Sequence, residues 1–204
     1  MEASTLQKYF SHCLQLYRCT LELIEKKYRD TPRKNKKYIK RLRDLINALL
    51  AKERYIEANY FFKELHTLKP DHVYTLKTGY ELSIRTFSKK EASIYEEKLI
   101  SLNYPELEII WYRLQLFFAL NYKEGAESCC EYILSNKVGN ERLSFILESC
   151  IKFKSEPIAF YFSRHLRKNK LDLKSANQKS EIKKLLIPRL IKALPYQNDQ
   201  LLNH

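Results

Sequence analysis

Glycine is almost missing from this chain: 204 residues hold three, alongside six prolines. β-hairpin turns and the phosphate-binding turn of dinucleotide folds both draw on glycine, so this scarcity argues against an all-β or Rossmann-like fold. No apolar run approaches the roughly 20 residues that a membrane-spanning helix needs. Met1 to Phe10 lacks the charged-then-apolar pattern of a secretory leader. The five cysteines, Cys13, Cys19, Cys129, Cys130 and Cys150, include no CxxC pair, so a zinc site is not indicated. Their odd number fits reduced, buried thiols of the cytosol or nucleus. The motifs G-x-S-x-G, H-E-x-x-H, GxGxxG and the P-loop are absent as well. His12, His66, His72, His165 and His204 are scattered singly. His66 and His72, either side of Pro70, read as surface residues rather than metal ligands. Glu96 with Glu97, and Glu106 with Glu108, read as solvated helix residues rather than an acid/base pair. No catalytic residue, cofactor or metal is expected.

What remains is a helical composition. Hydrophobic residues make up 45% of the chain, and abundant Leu, Lys and Glu with scarce Gly favour helices joined by short turns. The formal net charge of +13 draws acidic partners over long range, whether nucleic acid, anionic lipid or acidic protein.

The chain repeats itself. Ala58, Ala92, Ala126 and Ala159 open similar helical segments at spacings of 34, 34 and 33. A period near 34 is that of the tetratricopeptide (TPR) unit, a helix–turn–helix that buries its apolar face only by stacking on neighbours. A small residue is expected where the second helix crosses the first. The first repeat is the clearest: Leu42, Leu45, Ile46 and Leu49 line helix A, Tyr55 ends the turn, Ala58, Phe62, Leu65 and Leu68 line helix B, and Pro70 closes it. Ile46 and Leu65 depart from the usual small residues. The second repeat is weak, with Leu76, Tyr80, Ala92, Tyr95 and Leu99 in helical phase but Gly79 inside helix A. The third follows Pro105, with Trp111, Leu114 and Phe118, then Ala126, Cys130 and Ile133. The fourth has Leu143, Ile146, Leu147 and Cys150, then Ala159, Phe162 and Leu166, its second helix starting at Pro157.

The predicted architecture is all-α: a single TPR-like helical-repeat solenoid over 1–204 with capping helices at both ends. An N-terminal helix is expected over 1–28, opened by a Ser4–Gln7 capping box, with Leu6, Phe10, Cys13, Leu14, Tyr17 and Leu21 on one face. A basic linker follows at 29–37, then about four helix pairs over 38–170. A last helix over 176–194 carries Leu185, Leu186, Leu190 and Leu194, with a kink at Pro188 and a frayed polar tail after Pro195.

Two basic runs are the candidate contacts for nucleic acid or an acidic partner. Arg33, Lys34, Lys36, Lys37, Lys40, Arg41 and Arg43 crowd one stretch with no acid among them, and Arg164, Arg167, Lys168 and Lys170 form a second, extended by Lys174, Lys179, Lys183 and Lys184. Clustered cations neutralise phosphates without reading bases; a nuclear import signal or a solvated linker is the plainer alternative. The aromatic runs Tyr60–Phe61–Phe62 and Phe160–Tyr161–Phe162 cannot each face one core, so part of each faces the next repeat or a partner. Tyr60, Phe61, Trp111 and Tyr161 are the candidate protein-interface residues.

Lys37 to Pro70, with Leu42, Leu45, Leu49, Tyr55, Ala58 and Phe62 in place, resembles the TPR-bearing subunit of the RNA polymerase I core promoter factor, whose animal counterpart is a TATA-binding-protein-associated subunit of the ribosomal selectivity factor. Gly79 to Phe87 and the acidic lead into Trp111 at Glu106 and Glu108 resemble the same family. The similarity covers about half the chain, and this chain lacks the extended charged flanks of longer members. The resemblance implies a non-catalytic scaffold of the nucleus and nucleolus. Its partners would be a TFIIB-like subunit, a propeller-bearing subunit, TATA-binding protein and RNA polymerase I, with promoter DNA along its basic segments and no membrane. The alternatives are an RNA-binding helical-repeat protein, or a TPR adaptor or chaperone whose groove clamps a peptide with Lys40 and Arg43.

Overall fold

The computed structural model describes residues 20–171 and 176–193. All regular structure among them is helical. Helix α1 occupies 20–29, followed by α2 (Tyr38–Ala51), α3 (Tyr55–Leu68), α4 (Val73–Arg85), α5 (Lys89–Ser101), α6 (Glu106–Ala119), α7 (Lys123–Ser135), α8 (Asn140–Phe153), α9 (Glu156–Lys168) and α10 (Ala176–Ala193). Among the described residues no helix is long and apolar enough to cross a membrane. The expected Ser4–Gln7 cap, the face from Leu6 to Tyr17 with Cys13, and Cys19, His12, Lys174, Leu194 and the polar tail with His204 lie outside the described residues. So do the side chains of Pro188 and Leu190.

The described residues form two compact units, divided between Tyr104 and Pro105. Each is built from consecutive helix pairs, the arrangement of a helical-repeat protein. In the first, α3 packs between α2 and α4, and α4 pairs with α5. Leu42, Leu45, Ile46, Leu49, Ala58, Phe62 and Leu65 are buried in its core, on which α1 lays Leu21, Ile24 and Tyr28. In the second, α6 pairs with α7, α7 packs also on α9 and more lightly on α8, and α9 packs on α8 and α10. Its core takes Leu114, Cys130, Ile133, Ile146, Cys150, Ile158 and Phe162, and α10 covers one side with Ile182, Leu185 and Leu186. Burial pushes the Cys150 thiol up to about 12 and raises that of Cys130 further, so both are held as unreactive thiols.

All four repeat alanines have no exposed surface. A larger side chain there would push the paired helices apart, which is why the 34-residue rhythm survives at these positions. A second rhythm runs beside it. Glu53, Phe87, Asn121 and Lys154 all adopt left-handed backbone with positive φ, at the same spacings and each five residues before its alanine. In each case the following amide closes the helix: Arg54 N–H donates to the Leu49 carbonyl, Ser88 to Ser83, Tyr122 to Phe117 and Ser155 to Cys150, at 2.8–3.1 Å. This is the Schellman ending, usually given to glycine. Here no glycine has positive φ.

The second pair is as regular as the others. Gly79 sits inside α4, buried, because the Tyr95 ring of α5 occupies the space a side chain would need: a Cβ on Gly79 would lie 2.5 Å from the ring. Helix α9 begins at Glu156, one residue before Pro157, because the Ser155 hydroxyl accepts from the Ile158 amide (3.2 Å) and donates to Glu127 of α7 (2.6 Å). Similarly, α3 begins at Tyr55 rather than after it.

Candidate functional site

The first basic run leads into and along the start of α2. A tight network fixes its beginning. The hydroxyls of Tyr28 and Tyr38 donate to the two Glu64 oxygens at 2.8 and 2.7 Å, and the Arg33 guanidinium meets the same carboxylate at 2.7 Å. One glutamate on α3 thus joins α1, the linker and α2. Burial pushes the Glu64 carboxyl up, but the two phenol hydrogen bonds and the charge of Arg33 outweigh it and hold the group below its ordinary value. Burial, together with the bonds to Tyr38 and Glu64, raises the Tyr28 phenol well above its usual range.

The seven cations of this run divide by task. Arg33 is bound to Glu64, and half-buried Arg41 stands 3.9 Å from Asp44. The Arg43 guanidinium lies 3.5 Å from the centroid of the Tyr74 ring, whose hydroxyl donates to Asn47 at 2.8 Å. The buried Arg43 Nε has no hydrogen-bond partner among the described residues. Arg43 is therefore committed to helix packing. Lys34, Lys36, Lys37 and Lys40 are exposed and form no ion pair among the described residues. Helix α2 has no acid in its first turn and no side-chain cap. The lysine charges therefore add to the positive end of the helix dipole instead of being cancelled.

The second basic run lies along α9 and in the turn that follows it, where Arg164, Arg167 and Lys168 on the helix and Lys170 beyond it are exposed. Arg164 and Lys168, four residues apart on one helix face, line a groove against α7, while Arg167 and Lys170 do not. Of the extension, Lys183 and Lys184 are exposed on α10, with Lys184 paired to Glu181 at 2.8 Å, and Lys179 is half-buried.

The interface aromatics also part company. Tyr60 is 72% exposed, and Ile56, one turn earlier on α3, is 89% exposed. Phe61 is half-buried and turns back onto the Tyr28 ring at 5.4 Å, while Phe62 is buried and meets Tyr95 at 6.0 Å. Trp111 is half-buried between Phe145, edge-on at 5.2 Å, and the Arg142 guanidinium at 5.2 Å, which is held by Glu108 at 2.5 Å. Tyr161 is half-buried, edge-on to Phe160 at 5.5 Å.

The histidines are less superficial than their scattering suggests. His72 is exposed but caps α4, its Nδ1 accepting from the Tyr74 amide at 3.1 Å. His66 is half-buried against Phe62 and Tyr95. His165 is buried, with Nδ1 2.8 Å from the Leu134 carbonyl, one of the acceptors that the end of α7 leaves without a helical partner. Among the described residues no group of three His, Cys, Asp or Glu is placed to hold a metal ion. No protein-family model, curated protein or solved structure matches the chain.

Proposed function

We propose that this protein is a non-catalytic scaffold subunit of the RNA polymerase I core promoter factor, acting in the nucleolus to support initiation on ribosomal DNA. The reading joins the sequence resemblance of Lys37–Pro70 to the role a helical-repeat protein performs best, which is to hold other chains on extended faces. The observation that carries it is the division of labour in the first basic run: Arg33 and Arg43 engage partners on other helices and Arg41 stands by Asp44 on its own helix, while Lys34, Lys36, Lys37 and Lys40 are left exposed at the positive end of α2. Such a surface attracts a polyanion without sequence readout, which suits a scaffold lying along promoter DNA while partner subunits supply specificity. Tyr60 with Ile56 offers an apolar contact for a protein partner. The expected partners are a TFIIB-like subunit, a propeller-bearing subunit, TATA-binding protein and RNA polymerase I.

The test is location together with reconstitution. A fluorescently tagged chain should concentrate in nucleoli, and the purified chain should form a stable complex with the TFIIB-like and propeller-bearing subunits. A diffuse cytoplasmic signal with no complex would remove the proposal. The same four lysines favour a second reading, an RNA-binding helical-repeat protein. In that case single-stranded RNA should bind more tightly than duplex DNA at equal salt.

A further inference from the structure

Between α7 and α9 the second unit holds an open groove of about 220 Å³. Tyr161, Arg164, His165 and Lys168 line it from one face of α9, at successive spacings of three, one and three. Glu131, Leu134 and Ser135 line it from α7. We propose that this groove docks an acidic stretch of a partner protein, taken as extended chain with a carboxylate held between Arg164 and Lys168. The groove stands apart from the assembly proposed above, since its occupant is read from its own chemistry.

The charge argument comes first. Arg164 and Lys168 stand four residues apart on one helix face, where like charges repel. Both are exposed, and neither forms an ion pair among the described residues. A carboxylate between them relieves that repulsion and accepts from both, and the arginine fork matches its two oxygens. The floor is already built. The bond from His165 to the Leu134 carbonyl ties α9 to the end of α7, so little ordering is left to binding. Tyr161 gives an apolar wall to one side.

Glu131 and Ser135 then decide which polyanion fits. A nucleic-acid backbone brings negative charge and acceptors, and a carboxylate on the groove wall repels it. A peptide brings an N–H donor at nearly every residue as well as its acidic side chains. The Glu131 carboxylate and Ser135 hydroxyl can accept from those amides while the cations hold the acid. A lining of both signs therefore favours an acidic peptide over a nucleic-acid strand. The volume matches about seven waters, the scale of one or two side chains rather than a folded element.

The experiment uses the full chain and fluorescence anisotropy. The probe is a labelled peptide of alternating glutamate and serine around one phenylalanine. Its control carries glutamine in place of every glutamate, and a labelled oligo-thymidine strand is the second polyanion. The acidic peptide should bind and the glutamine version should not. Exchanging Arg164→Gln with Lys168→Gln should weaken binding about tenfold or more, whereas Arg167→Gln with Lys170→Gln, the same loss of charge outside the groove, should change it less than about threefold. Ser135→Glu, at an exposed position, adds a carboxylate and should also weaken it. No binding by the acidic peptide, equal losses from the two charge pairs, or an oligo-thymidine affinity that falls in parallel with the groove variants would each overturn the proposal.

Discussion

The ring of Tyr95 lies where the side chain of residue 79 would be, and Gly79 is what admits it. Phe62 and His66 flank the same ring from α3, so it has little room to swing aside. Alanine suits a helix interior better than glycine by about 1 kcal/mol, and propensity alone therefore favours Gly79→Ala. Packing reverses the sign. We expect Gly79→Ala to destabilise the first unit by about 1–2 kcal/mol, read as a lower midpoint in urea. Adding Tyr95→Leu to Gly79→Ala should cost less than the two single changes together, because the clash is then gone. A neutral or stabilising Gly79→Ala would show that the ring moves freely.

The Glu64 network gives a pH dependence. Its carboxyl titrates below the ordinary value in the folded chain despite partial burial. Its contribution is therefore full above the unfolded value of about 4.3 and is lost as pH falls through the folded one. Glu64→Gln keeps the shape but removes the charge that Arg33 and the two phenols address. We expect a loss on the order of 1 kcal/mol at neutral pH, and a shallower fall of stability on acidification than in the unchanged chain. Thermal melts across the acidic range would show both. A substitution that leaves the acid limb unaltered contradicts the role given to Glu64.

The left-handed turns invite the opposite kind of change. Lys154 is exposed and has φ of 46°, a conformation that costs a side chain about 1–2 kcal/mol. Glycine relieves this but adds about 0.5–1 kcal/mol of unfolded-chain entropy. Lys154→Gly should therefore be net stabilising by about 0.5–1 kcal/mol, and Lys154→Val should be destabilising. Calorimetric melting of the two variants checks the pair.

For the lysines of the first basic run, the expected signature is in the salt dependence. Changing Lys34, Lys36, Lys37 and Lys40 to glutamine should weaken binding to duplex DNA of any sequence. It should also flatten the plot of log affinity against log salt by about 0.9 for each phosphate no longer neutralised. These side chains are exposed, so the melting temperature should hardly move. An unchanged slope would remove these lysines from the interface.

Ala58, Ala92, Ala126 and Ala159 made the helix pairing legible in the sequence, because a crossing of two helices tolerates little else. The four turns that share their rhythm were not legible. Their left-handed residues are Glu, Phe, Asn and Lys, and most of these types carry no signal for that conformation. Gly79 misled for a related reason: its value lies in a ring brought from another helix, which propensity does not register. The basic runs were visible as charge, but their sorting was not. Arg43 stacked on Tyr74, and Arg33 bound to Glu64, depend on partners about 30 residues away. The helical spacing of Tyr161, Arg164, His165 and Lys168 stands in the sequence. That α7 supplies the facing wall, and that His165 is buried against its end, follows only from the packing of α7 on α9.

The most direct test of the central claim is affinity purification of the tagged full-length protein from its native cell, with the copurifying chains identified by mass spectrometry. The expected result is recovery of the TFIIB-like and propeller-bearing core-factor subunits together with RNA polymerase I. Recovery of the tagged protein without any RNA polymerase I initiation component would contradict the claim.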